Sequence, residues 1–158
     1  KPKLVNYTIN NHVIPSLEEM KKDYMENKTK DEFSIAEKLN FHTSKYTNLL
    51  KIKNEFLRKN KLVIAFQFQQ KNLNNLRGGV FLKEGNTINK QRTIKLFNEK
   101  IRGVKIVSNS DYIGFEYHHF MNWSSNLKDL QNLMFSDFKS DLKCKIDLML
   151  EIVNEVVE

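Results

Sequence analysis

The chain has 158 residues, 40% of them hydrophobic and 28% charged, with 5 glycines, 2 prolines and a formal net charge of +7. That length buries a real core in one or two small domains, and the composition is that of a globular chain, not a low-complexity one. No run of about eighteen apolar residues exists to span a membrane, no signal-peptide pattern opens the chain, and the single cysteine, Cys144, excludes an internal disulfide framework and a CxxC metal site. The expected location is the reducing cytoplasm.

Residues 1–15 read as irregular, because Asn10, Asn11 and Pro15 interrupt any period. Ser16-Leu17-Glu18-Glu19 then reads as an N-cap with an acidic first turn, opening a helix to about Asn27. A second helix is expected from about Asp31 to Leu39 and a third from about Thr43 to Lys59. The stripe Leu49, Ile52, Phe56 and Leu57 continues the third at helical spacing.

The stretch from Ile35 to Leu50 concentrates this pattern. Ile35, Ala36 and Leu39 make an apolar face. Asn40 falls at the reversal, where Asn enters the left-handed region cheaply. Phe41 follows as an apolar plug, Thr43 or Ser44 can cap the next helix, and Tyr46, Leu49 and Leu50 form its buried side. The arrangement resembles the helix-turn-helix of DNA-binding proteins over about sixteen residues. It departs from the commonest form at Asn40, where Gly is usual, and at Tyr46, which is bulkier than the usual Val or Ile. The resemblance implies that His42, Thr43, Ser44, Lys45, Thr47, Asn48 and Lys51 face duplex DNA. Asn can bond adenine, Thr can meet thymine methyl groups, and Lys can reach guanine or phosphate.

Leu62 to Gln69 changes to strand character, and Gly78 to Leu82 resumes it after the polar stretch from Gln70 to Arg77. This hairpin follows the third expected helix, where a winged-helix protein carries its wing. Lys71 and Arg77 are then expected on the wing loop, against phosphate or the minor groove. Gly85-Asn86 marks a turn. Ile88 to Ile101 reads as a basic helix closed by Gly103, and Val104–Val107 and Asp111–Phe120 as a second strand pair. The last element, Asn126 to about Val157, carries Leu127, Leu130, Met134, Phe138, Leu142, Ile146, Met149, Val153 and Val156 every three or four residues. A helix of about thirty residues spans about 45 Å, more than a small domain needs. A homodimer through residues 126–158 is therefore expected.

Charge is unevenly spread. Residues 61–105 hold 10 basic and 2 acidic side chains, whereas residues 106–158 hold 4 basic and 9 acidic. A basic middle segment suits a polyanion partner.

Signals for catalysis are weak. Glu116 and His118 share a strand face, but a catalytic zinc usually takes three protein ligands. The acid-x-Lys pairs at Glu19, Asp137 and Asp141 fall on expected helices, and residues 61–83 carry no acid at all. Cys144 sits mid-helix between Lys143 and Lys145. No GxSxG, P-loop or GxGxxG is present. No catalytic residue, metal or cofactor is expected.

The expected fold is α+β. A winged-helix-like part of three helices and a hairpin covers residues 13–84, and a strand-helix-strand-strand part with a long C-terminal helix covers 85–158. The expected function is binding of double-stranded DNA by a regulator, a replication or partition factor, or the DNA-reading module of a larger protein. A protein-interaction or oligomerisation module and a nuclease-associated domain are the alternatives.

Overall fold

A computed structural model describes residues 2–25, 32–36, 47–71, 73–118 and 138–158. The N-terminal stretch is helical: α1 (Pro2–Thr8), a π-helical segment (Ile9–Val13), α2 (Ile14–Met20) and a 3₁₀ turn (Lys21–Tyr24). The strands are β1 (Glu32–Ile35), β2 (Thr47–Lys53), β3 (Leu62–Gln70), β4 (Asn74–Leu82), β5 (Val104–Asn109) and β6 (Tyr112–Tyr117). Between them lie α3 (Glu55–Lys59) and α4 (Lys90–Lys100), and α5 (Phe138–Val156) ends the described chain. The chain is α+β. All six strands form one antiparallel sheet in the order β1-β2-β3-β4-β6-β5.

The hairpin β3–β4 sits at the centre of that sheet. Leu62, Ile64, Phe66 and Phe68 on β3 and Leu76, Val80 and Leu82 on β4 all point to one side, at period two. On the same side lie Leu50 and Ile52 of β2, and Ile113, Phe115 and Tyr117 of β6. The helical segments bury their apolar residues in this one cluster. Examples are Ile9, Leu17, Leu57, Phe97 and, along α5, Leu142, Ile146, Met149 and Val153. Full burial of each such side chain favours folding by about 1.5–3 kcal/mol relative to exposure.

The expectation of irregular structure before Ser16 is corrected. Ile9, Val13, Leu17 and Met20 recur at helical spacing and are buried. Pro15 does not break the run because it falls in the first turn of α2, where a missing N–H costs little. The π-helical turn ahead of it absorbs the irregularity.

The three-helix, winged-helix arrangement is also corrected. Of the residues expected on two crossing helices, Glu32–Ile35 and Thr47–Lys53 are paired strands. Ile35 lies opposite Leu50, Phe33 opposite Ile52, and the Ala36 N–H donates to the Leu49 carbonyl at 3.0 Å. Leu50-Lys51-Ile52-Lys53 alternates inward and outward, as a strand does. The helix-like stripe arises because a bulge between Asn48 and Leu50 buries Leu49 and Leu50 together. Among the described residues there, only Glu55–Lys59 is helical, begun by the Asn54 side chain, which accepts from the Leu57 N–H at 2.7 Å. Asn40, Phe41 and Tyr46 lie outside the described residues.

The hairpin after position 61 forms as expected, but its turn is only Lys71–Leu73, and β2 and β6 flank it. It is the middle of a sheet, not a projecting wing. The helix before Gly103 and the strand pair after it also form, with Gly103 at φ 74°. Of the expected C-terminal helix, residues 126–137 lie outside the described residues. The apolar stripe of α5 is buried by this chain's own sheet and helices. The surplus stripe that motivated a homodimer is thus absent from the described part.

Gly79 and Gly114 lie side by side on the face opposite the helices, under the Tyr112 ring. A Cβ on Gly79 would come within 2.5 Å of Tyr112 Cε2, and one on Gly114 would strike the Gly78 carbonyl oxygen. Backbone cannot yield as a flexible side chain can. Gly114→Ala should therefore destabilise the protein by about 2–3 kcal/mol or more, read as a lowered midpoint in urea.

Candidate nucleic-acid interface

The sheet face turned away from the helices carries three cross-strand rows. The first is Asn48, Gln67, Arg77, Glu116 and Lys105. The second is Ser34, Lys51, Ala65, Gly79, Gly114 and Val107. The third is Val63, Phe81, Tyr112 and Asn109. Val63, Ala65, Phe81, Val107 and Tyr112 all stand outside the single core cluster, as alternation requires.

The first row is hydrogen-bonded from β2 to β6. Gln67 Nε2 donates to Asn48 Oδ1 at 2.6 Å, and Gln69 Nε2 donates to Gln67 Oε1 at 3.0 Å. Arg77 Nη1 donates to Gln69 Oε1 at 3.4 Å, and its Nη2 forms an ion pair with Glu116. Both charged groups of that pair are largely buried, with side-chain exposures of 27% and 14%. Arg77 is therefore a strand residue held across the sheet, not a wing-loop cation. Its Nε and the Asn75 Oδ1 are buried without hydrogen-bond partners among the described residues.

In the third row the Phe81 and Tyr112 rings meet at 5.0 Å, tilted by 42°. Tyr112 is fixed from its other end, because its hydroxyl donates to the Gly78 carbonyl at 3.0 Å.

Lysines border these rows. Lys51 and Lys53 project from β2 and Lys105 from β5. Lys61 and Lys83 stand together at one end of the hairpin, where the Lys83 N–H donates to the Lys61 carbonyl at 2.9 Å, and Lys71 stands at the other. None of the six has a carboxylate within 4.0 Å among the described residues. Glu32, opposite Lys53, and Glu116, opposite Lys105, are the acidic residues on the strands of this face.

The helical side differs. The basic α4 lies beside the acidic α5, and Arg92 pairs with Glu155 at 3.3 Å and Lys100 with Glu151 at 3.1 Å. Lys139 pairs with Glu19, and Lys143 with Asp23 and Asp147. Such exposed pairs add little stability, but they cancel much of the basic character of α4.

No known protein family matches the chain, and no curated protein or solved structure matches it significantly.

Of the residues expected to face DNA, His42, Thr43, Ser44 and Lys45 lie outside the described residues. Thr47, Asn48 and Lys51 lie on β2, not on a recognition helix, and Lys71 lies in the tight turn. Asn48, Lys51 and Arg77 share the outer sheet face. Lys53 and Lys105 join them there, and Lys61 and Lys83 stand at the end of the hairpin, none of them belonging to the helix-turn-helix pattern. The alternation of Leu50 and Ile52 with Lys51 and Lys53 is the sequence signal for the first of them.

Glu116 is bound to Arg77, His118 is exposed at the end of β6, and His119 lies outside the described residues. Among the described residues no three His, Cys, Asp or Glu gather as metal ligands, and no helix is long and apolar enough to cross a membrane. Cys144 is exposed on α5. Its neighbour Lys145 is buried, with Nζ 2.7 Å from Asp141 Oδ1 and 5.1 Å from the Tyr117 ring centre. That cluster ties α5 to β6.

Burial raises the hydroxyl pKa of Tyr24, Tyr112 and Tyr117 above the ordinary value of 10.0. The carboxylates of Asp147, Glu116 and Asp141 respectively add to it. The folded state keeps these protons while the unfolded chain releases them near pH 10. The unfolded state then binds fewer protons, so stability falls as pH rises beyond about 10. Urea midpoints measured from about pH 8 to about pH 11 should be flat at first and then decline, with tyrosinate absorbance from these three rings appearing only as the protein unfolds.

Proposed function

We propose that the protein binds nucleic acid without catalysing a reaction on it, and that it does so with the outer face of its sheet. The observation that supports this reading is the set of six lysines, Lys51, Lys53, Lys61, Lys71, Lys83 and Lys105, without described ion-pair partners. Together with Arg77 they surround a face with two strand carboxylates, Glu32 and Glu116. Lys61, Lys71, Lys83 and Lys105 are exposed and Lys51 and Lys53 half-buried; ammonium groups so placed are suited to phosphate, which they bind while releasing condensed counterions. The amides of Asn48, Gln67 and Gln69 retain donors and acceptors beyond those they exchange with one another, so they can bond bases or sugars. This replaces the recognition helix with a sheet surface and keeps nucleic acid as the partner.

The test is a salt titration of fluorescently labelled nucleic acid. Affinity should fall steeply between about 50 and 200 mM salt. Joint replacement of Lys51, Lys53 and Lys105 by Ala should weaken binding by about tenfold or more and flatten the salt slope by roughly one for each phosphate no longer neutralised. A charge-matched variant with Ala at Lys95, Lys100 and Lys139, on the helical side, should bind like the parent. Equal losses in the two variants, or no binding at about 50 mM salt, would overturn the reading.

A further inference from the structure

We infer that one end of the sheet carries a cationic clamp, Arg58, Lys59, Lys61 and Lys83, that holds consecutive phosphates and reads no bases; the inference rests on the nucleic-acid reading above. The first argument is how these residues are rooted. Lys59 closes α3 beside Arg58, whose carbonyl accepts from the Lys61 N–H at 3.2 Å. The Lys61 carbonyl accepts from the Lys83 N–H at 2.9 Å, and the Lys83 carbonyl accepts from the Asn86 side-chain amide at 2.7 Å. One run of hydrogen bonds thus ties the end of α3 to the open end of the β3–β4 hairpin. The four cations stand on two adjoining turns with fixed backbones.

The second argument is that this placement does not serve folding. Leu62 pairs with Leu82, so Lys61 and Lys83 stand opposite each other at the next position. Like charges directly opposite across a strand pair are destabilising. Lys61 also has φ 57°, in the left-handed region that Gly and Asn enter more cheaply. None of the four cations has a carboxylate within 4.0 Å among the described residues, although Glu55 and Glu84 are exposed on the same two segments. An anion from outside the chain relieves the repulsion.

The third argument is access and chemistry. Lys59, Lys61 and Lys83 are exposed and Arg58 is half-buried, at the rim of the sheet and away from its buried centre. The neighbouring amides of Asn60 and Asn86 donate inward, to the Phe56 and Lys83 carbonyls. The cluster therefore offers a ligand ammonium and guanidinium donors. These suit phosphate oxygens and carry no code for bases.

The experiment is fluorescence anisotropy with three labelled probes at about 50 mM salt: two duplexes of unrelated sequence and an inorganic polyphosphate chain. Replacing Arg58, Lys59, Lys61 and Lys83 by Gln removes the charges and keeps most of each stem. This fourfold variant should lose about tenfold or more on every probe, by the same factor on both duplexes, with a salt slope lower by roughly one for each phosphate no longer neutralised. A charge-matched variant with Gln at Lys22, Lys95, Lys100 and Lys139, on the helical segments, should bind like the parent. Lys61→Arg with Lys83→Arg should also bind like the parent. If the fourfold variant fails to fold, Lys59→Gln with Lys83→Gln, both at exposed positions, should still lose about threefold or more. Parental affinity in the folded variant, a loss confined to one duplex sequence, or duplex binding without polyphosphate binding would overturn the inference and leave the nucleic-acid reading standing. Equal losses in the two fourfold variants would overturn the inference as well. Polyphosphate binding without binding of either duplex would overturn the nucleic-acid reading and keep the clamp. Binding to none of the three probes would overturn both.

Discussion

Period-two alternation along β3 and β4 is the constraint on which the rest of the molecule depends. It sends Leu62, Ile64, Phe66, Phe68, Leu76, Val80 and Leu82 to one side of the sheet, and the helical segments dock there because that is where apolar area can be removed from water. The topology follows from keeping that side covered. The connection through α4 carries the chain past the place that β6 will fill. The β5–β6 hairpin then returns so that β6, rich in large apolar residues, lies against β4. The more exposed β5 is left at the edge, with Lys105 outward, which discourages further strand addition.

The same alternation creates the outer face. Residues between the core positions of the central strands are small, polar or aromatic: Ala65, Gln67, Gly79, Phe81, Gly114 and Glu116. The glycines have a steric role, since the Tyr112 ring occupies the volume their side chains would need. The structural requirement at Gly79 and Gly114 and the fixed position of the Phe81–Tyr112 pair are two consequences of one packing arrangement.

Electrostatics separates the two sides of the sheet. Along the chain, the basic segment 61–105 and the acidic segment 106–158 look like two opposed surfaces. In space α4 and α5 are neighbours, and two of the α4 cations, Arg92 and Lys100, pair with Glu155 and Glu151 of α5. The lysines of the sheet have no such neighbour among the described residues.

Several elements were legible in the sequence because local chemistry alone specifies them. The β3–β4 hairpin, the helix closed by Gly103, the β5–β6 pair and the C-terminal apolar stripe each have an unambiguous period and punctuation, and each lies close to its expected place. Legibility failed between positions 31 and 59. There a bulge buries two successive leucines and mimics helical spacing, and the short strand Glu32–Ile35 has too few residues to declare a period. A strand's partners supply its hydrogen bonds, so β1 and β2 exist only because β3 is there to pair with. The same holds for the candidate site. The number of lysines is a property of the sequence. Which of them find carboxylates and which are left facing outward depends on neighbours distant along the chain, and only the tertiary structure decides that.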